Sequence, residues 1–253
     1  MNTPKTSHDG PRQAERLALV TGGSRGLGQA ICGALRAEGY TVLDLSRTAT
    51  GPGGCALDLA DASQSAATVR ELLGSFDLGR VRDFIFMNNA ATIEPIGPVS
   101  HAPEAALLRS LQVNLLSAVA IIASALAMLE SSTARKVLVN VTSGAAQTAH
   151  AGVAVYGAAK AGMEQFIRAV AVEQAQTAYP TVAINVDPGA LDTDMQARLR
   201  AADPADYPAR ADFMARHAKG ELASPATVAA AIVEIARSAG LVPGARYRAR
   251  DPI

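Results

Sequence analysis

The chain has 253 residues, with 23 basic residues against 23 acidic ones, 49% hydrophobic residues, no Trp and two cysteines. Zero formal net charge without a run of Lys and Arg argues against nucleic-acid or anionic-lipid partners, and the apolar stretches are broken before the roughly 18 residues needed to cross a bilayer. At about 150 residues per domain the length allows one domain or two, α/β folds of this size commonly being one; Cys32 and Cys55, outside any C-x-x-C pair, predict no disulfide framework and a reducing, cytoplasmic setting.

Residues 1–15 are polar and are expected to form a mobile tail ahead of a single domain spanning 16–253. Apolar runs of strand length at 17–20, 41–45, 55–57, 84–87, 136–141 and 181–186 alternate with helical periodicity at 26–38, 62–73, 103–130 and 157–176. Strands apolar on both faces and separated by helices predict a parallel sheet covered on each side, a doubly wound α/β domain. Beyond Pro188 the pattern turns polar, and residues 188–222, with Pro204 and Pro208, are expected to form short helices outside the sheet, a lid. Ser224 and Pro225 suit the N-cap and first position of a helix, and a last strand near 245–247 would close the sheet.

Directly after the first strand stands Thr21-Gly22-Gly23-Ser24-Arg25-Gly26-Leu27-Gly28, opening a helix. Glycines there allow a tight turn and the close approach of a pyrophosphate, while the helix N-terminus offers unpaired N–H groups and partial positive charge. Gly22, Ser24, Arg25, Gly26 and Leu27 are therefore candidate cofactor contacts, although such a turn also serves simply to join strand to helix. The second strand ends Asp44-Leu45-Ser46-Arg47. Where an acid would meet the ribose 2′-hydroxyl of NAD, Ser46 stands; with Arg25 and Arg47 it would bind a 2′-phosphate through charge-assisted hydrogen bonds. NADP(H) is the expected cofactor, and Asp44 becomes the missing acid only if the strand ends two residues earlier.

Tyr156 and Lys160, four residues apart, share one face of a helix, a spacing that alone is common on surface helices. Ser143 lies just past the apolar strand KVLVNV, at the carboxyl end where open α/β sheets bind ligands. Asn114 interrupts a long apolar helical stretch and is expected to bend it unless it finds a special partner. Asn89, with Ala90 and Ala91, follows the fourth strand at the same edge.

In this order and spacing the glycine turn, Asn89, Asn114, Ser143, Tyr156 with Lys160, and Asp187-Pro188-Gly189 resemble the short-chain dehydrogenases/reductases from residue 17 onward. The resemblance implies a Rossmann-type sheet and catalytic roles for Asn114, Ser143, Tyr156 and Lys160. It also implies cofactor contacts at Asp58, Leu59, Asn89, Ala90, Ala91, Tyr156, Lys160, Pro188, Gly189, Leu191, Thr193 and Met195. The family's N-N-A-G ends here in Ala91. Hydride delivered to a carbonyl carbon leaves negative charge on oxygen, so the site needs a proton donor and a hydrogen-bond donor there. Tyr156 would be the acid and Ser143 the hydrogen-bond donor. Lys160 would hold the nicotinamide ribose and bring the phenol, ordinarily near 10, toward working pH. Asn114 would hold a relay water.

The stretches Pro188-Gly189-Ala190-Leu191-Asp192-Thr193-Asp194-Met195, Glu94-Pro95-Ile96-Gly97-Pro98 and Lys219-Gly220-Glu221-Leu222 are similar to the sepiapterin reductase and bacterial benzil reductase branch. That implies NADPH-dependent reduction of a small-molecule ketone flanked by another carbonyl. Pterin-using members place an acid near the last strand; the comparable stretch here is Gly244-Ala245-Arg246-Tyr247-Arg248, whose cations would repel a pterin. A benzil-like dicarbonyl is therefore favoured over a pterin, a 3-oxoacyl or hydroxysteroid-type substrate, or a nonenzymatic NADP-binding regulator. His150, six residues before Tyr156, is either a lining residue of the substrate pocket or an ordinary loop histidine; His8, His101 and His217 show no metal-ligand spacing, and no metal site is expected. In the family the helices bearing Asn114 and Tyr156 pair between subunits, which implies a homodimer or homotetramer.

Overall fold

A computed structural model describes residues 11–249. One sheet contains β1 (Arg16–Thr21), β2 (Thr41–Ser46), β3 (Gly54–Ala56), β4 (Asp83–Asn88), β5 (Arg135–Val141), β6 (Thr181–Asp187) and β7 (Arg246–Arg248), in the order β3-β2-β1-β4-β5-β6-β7. Every pairing is parallel. The helices are α1 (Gly26–Ala37), α2 (Ala62–Gly74), α3 (Glu104–Leu111), α4 (Ser117–Met128), α5 (Ala154–Gln174), α6 (Asp194–Ala201), α7 (Arg210–Ala218) and α8 (Pro225–Arg237). This is the expected doubly wound α/β domain. The strand order reverses between β1 and β4, and at such a point the connections leave in opposite directions and open a crevice at the carboxyl ends.

The pleat sorts the strand residues between two cores. Leu17 and Leu19 turn to one side with Val69, Leu73, Ile121 and Ile167, while Ala18 and Val20 turn to the other with Ile31, Leu35 and Ile232. Each fully buried Leu or Ile contributes about 1.5–3 kcal/mol relative to exposure, so two-sided burial explains strands that are apolar throughout. The Ser224 hydroxyl oxygen accepts from the Thr227 N–H at 3.1 Å and Pro225 opens α8, as expected from their cap chemistry.

Three departures have local causes. The long helical stretch is not uniform: Gln112–Leu116 forms a π-helical turn with Asn114 buried inside it, because the Asn114 amide is drawn inward by bonds described below. The helical run Glu104–Met128 has 25 residues, and an 18-residue window within it has a mean hydropathy of 1.9, long and apolar enough by composition to cross a membrane. Beyond Arg109 its interruptions are polar but uncharged, so no unbroken apolar run marks it; Ala118, Ile121, Ile122 and Ala125 pack into the core beside the sheet. Of the tail expected over residues 1–15, residues 1–10 lie outside the described residues, but Arg12 is anchored. Its N–H donates to the Ser75 carbonyl at 2.8 Å, its carbonyl accepts from Asp77 N–H at 3.0 Å, and its guanidinium lies 4.4 Å from the Phe76 ring centre.

Candidate active site

The carboxyl ends of the strands open into a cleft of about 470 Å³. At its floor the glycine turn takes φ of 73° at Gly22 and 53° at Gly26, a left-handed region that favours glycine. A Cβ on Gly28 would stand 2.0 Å from the Gly22 carbonyl oxygen, so only glycine lets α1 begin there. The Asn89 side-chain amide donates to the carbonyls of Thr21 at 3.0 Å and Gly22 at 3.2 Å. In return the Thr21 hydroxyl oxygen accepts from the N–H groups of Asn89 and Ala90. Turn and strand end thus clasp each other, and Gly22, Ser24, Arg25, Gly26 and Leu27 line the cleft together with Asn89, Ala90 and Ala91.

At the neighbouring edge Ser46, Arg47, Asp58 and Leu59 also line the cleft. Asp44 does not: its carboxylate accepts from the Gly23 N–H at 2.8 Å and from the Ser46 hydroxyl at 3.1 Å, inside the fold. The strand therefore ends as expected, Asp44 is turned away from the cleft, and the Ser46 hydroxyl donates to it. Arg25 reaches Asp194 at 3.1 Å and Arg109 reaches Asp58 at 3.2 Å. The Asp58 carboxyl lies below its usual range; burial opposes its charge, and the Ala60 N–H and the Arg109 guanidinium together outweigh that.

Tyr156 is buried and lines the cleft, and Ser143 is near enough to favour its ionised form. Lys160, one turn along α5, donates from Nζ to the Val141 carbonyl at 2.7 Å, and Nζ stands 5.8 Å from the Tyr156 ring centre. Ser143 lies two residues past β5 with extended backbone, and its hydroxyl oxygen accepts from the Ala145 N–H at 3.2 Å. Burial pushes the Tyr156 phenol above its ordinary value; Ser143 pulls it down, and Asp187 pushes it further up. The downward pull expected from Lys160 is not among these influences, and burial prevails. Burial also lowers Lys160 from 10.5 to about 8, with Glu164 resisting.

Asn114 Oδ1 accepts from the Thr92 N–H at 2.8 Å, and Nδ2 donates to the Thr92 carbonyl at 2.8 Å and to Ser110 Oγ at 3.2 Å. Its side chain therefore holds the loop after β4. Asn114, Ser143 and Gly189 are not in the lining of the cleft. At Gly189 the chain turns with φ 73° and the N–H donates to the Asp187 carboxylate at 3.0 Å.

Pro188, Leu191, Thr193 and Met195 line the opposite wall. Beyond them Ile93, Val153, Tyr156, Leu199 and Tyr207 form a third apolar cluster with Met195 and Phe213, and Tyr207 meets Phe213 edge to face at 5.5 Å. Sequence reasoning missed three charged lining residues, Glu94, Arg109 and Arg198. The last, on α6, reaches Glu94 at 3.3 Å. Each reads in sequence as a solvated charge, and no local pattern marks it. The cations of the last strand also need correction. Arg246 pairs with Glu164 at 2.9 Å and Asp187 at 2.8 Å, Arg248 is exposed, and neither lines the cleft. The pleat of β7 turns Arg246 under α5, so the expected repulsion of a pterin does not arise.

Residues 16–204 match the short chain dehydrogenase family, and the chain belongs to that family of NAD(P)-dependent oxidoreductases. Among its relatives are two proteins described as benzil reductases forming (S)-benzoin. The one from Bacillus subtilis is 32% identical over 224 residues, covering 87% of this chain and 92% of that protein. The one from Bacillus cereus is 30% identical over 229 residues, covering 86% and 92%. A Beutenbergia cavernae structure, described as a candidate NAD(P)-dependent gluconate 5-dehydrogenase with bound NADP, superposes with a TM-score of 0.79 at 28% identity, over 93% of this chain and 95% of that one.

Proposed function

We propose that the protein is an NADPH-dependent carbonyl reductase acting on a ketone of a benzil-like vicinal dicarbonyl, with Tyr156 as the acid. The observation that carries this reading is the position of Tyr156. This residue belongs both to the lining of the cofactor cleft and to the apolar cluster of Ile93, Val153, Leu199 and Tyr207. A pocket so lined suits flat aryl groups, and the benzil reductase relatives support the same substrate class.

The residues present fit a dinucleotide carrying a 2′-phosphate. The glycine turn leaves no room for a Cβ at Gly28, Asp44 is turned inward, and Arg25, Arg47 and Arg109 line the cleft. Because Ser46 donates to Asp44, the phosphate falls to Arg25 and Arg47. Bound NADPH supplies the hydride. Tyr156 gives its proton to the ketone oxygen, Ser143 donates a hydrogen bond to the same oxygen, and Lys160 holds the ribose hydroxyls. With its side chain committed to Thr92, Asn114 would hold a relay water through its main chain in the π-helical turn. Pro188, Gly189, Leu191, Thr193 and Met195 belong to the segment that closes over the nicotinamide, with residues 188–222 as the lid.

Reduction of a pterin is the second reading, because Glu94 brings a carboxylate to the cleft and Arg246 faces away from it. NADPH consumption with benzil and sepiapterin, assayed side by side, separates the two: a higher kcat/KM for benzil supports the first reading and the reverse supports the second. Tight NADPH binding with no carbonyl turned over would leave a nonenzymatic regulator. Leu108, Leu116 and Val172 stand 59%, 51% and 70% exposed on the outer helical layer and support a homodimer or homotetramer, which sedimentation would test. Free Cys32 and Cys55 accord with a reducing, cytoplasmic setting.

A further inference from the structure

A buried polar row crosses the sheet beneath the catalytic helix. Asn88, Asn140, Asn185 and Arg246 are register neighbours on β4, β5, β6 and β7. Asn88 donates to Asn140 at 2.9 Å and Asn140 to Asn185 at 2.8 Å. At the end of the row Arg246 makes three contacts. Its Nε donates to Glu164 Oε1 at 2.9 Å, and its Nη2 donates to Asp187 Oδ2 at 2.8 Å and to the Ser143 carbonyl at 3.3 Å. Glu164 lies one turn beyond Lys160 on α5, is 4% exposed, and accepts also from Thr142 Oγ1 at 2.7 Å. One guanidinium thus reaches Ser143 itself, the carboxylate next to Lys160 and the carboxylate preceding Pro188.

We propose that Arg246 is a positioning residue of the catalytic centre: from the last strand it holds the main chain of Ser143 and neutralises Glu164 and Asp187, setting the charge that Lys160 and Tyr156 face. This rests on the roles proposed above for Ser143, Tyr156 and Lys160. Of the charged groups around the pair, Glu164 on α5 favours protonated Lys160 and Asp187 on β6 favours protonated Tyr156. Arg246 on β7 covers both carboxylates, and Arg168 on α5 approaches Glu164 at 4.0 Å. Removing the Arg246 cation exposes two negative charges in a poorly solvated place, where their effect on neighbours is large. Removing the Glu164 charge does the reverse. A merely structural clamp would respond alike to both changes, since each breaks the same ion pair.

The test is the titration of Lys160 in the full chain, followed by competitive acylation with acetic anhydride across pH and peptide mass spectrometry. The pH dependence of kcat/KM for NADPH is measured alongside. Arg246→Met should move the Lys160 midpoint up by about half a pH unit or more, Glu164→Gln should move it down, and Arg246→Lys should stay nearer the parent. The double variant should return toward the parent value. Shifts of the two single variants in the same direction, or none, overturn the proposal. If Arg246→Met does not fold, Glu164→Gln decides alone, and the absence of a downward shift overturns it. Acylation needs no substrate, so failure of benzil reduction would count against the proposed function and leave this result readable.

Discussion

Asp44 accepts a hydrogen bond from the Gly23 main-chain N–H at 2.8 Å, so the acid on β2 braces the glycine turn from inside and offers nothing to a ribose hydroxyl. The cleft edge beside it is left to Arg25 and Arg47. The kcat/KM for NADPH should exceed that for NADH, and an Arg25→Ala/Arg47→Ala variant should lose about 100-fold with NADPH and little with NADH. That magnitude is the lower end of what two charge-assisted bonds, at about 1.5–3 kcal/mol each, would give. A preference for NADH in the parent enzyme would contradict this assignment.

Asp44→Ala should act differently. It leaves the Gly23 N–H and the Ser46 hydroxyl without their acceptor and should cost about 1–3 kcal/mol of stability. The expected result is a lower Tm with NADPH and NADH binding weakened alike. A selective change in the preference between the two would return Asp44 to the ribose.

Lys160 gives a pH dependence. Burial lowers it from 10.5 to about 8, so the ammonium that would grip the ribose is lost as pH rises through about 8. The kcat/KM for NADPH, which reports the free enzyme, should fall on that limb. The same shift has a stability sign: a lysine whose folded value lies below its unfolded one costs folding while charged. That cost is fully present below about 8 and gone above 10.5. Lys160→Met should therefore gain Tm relative to the parent at neutral pH, with the gain shrinking toward pH 10.5. An increase in that gain with rising pH would contradict the assignment.

Tyr207, 1% exposed, fills the apolar cluster beside Tyr156. Tyr207→Ala should cost about 3–5 kcal/mol of stability and raise KM for benzil more than it lowers kcat, whereas Tyr207→Phe should keep both near the parent values. Equal benzil KM in the Ala variant and the parent would move the substrate elsewhere.

Much of this was legible in the chain itself. Val137, Leu138 and Val139 are apolar on both faces, which marks a strand buried on both sides, and Ser224-Pro225 carries its own start signal. The Tyr156 and Lys160 pair was readable because four residues make one helical turn. What could not be read is the direction in which a side chain turns across the pleat. Asp44 and Ser46 lie on the same face, two residues apart, and only the position of Gly23 makes Asp44 a brace. Arg246 likewise looks like a surface cation until β7 is set beside β6 and under α5. Arg109 and Arg198 reach the cleft only because α3 and α6 approach it from opposite sides.

The central claim, proton delivery by Tyr156 to a ketone reduced by NADPH, is tested most directly by Tyr156→Phe. Its NADPH affinity and its rate of NADPH consumption with benzil are measured beside those of the parent enzyme. The account predicts that the parent turns over benzil, while the variant binds NADPH nearly as well and keeps less than about a tenth of the activity, the scale of a lost general acid. Retention of most of the activity by the variant would contradict it.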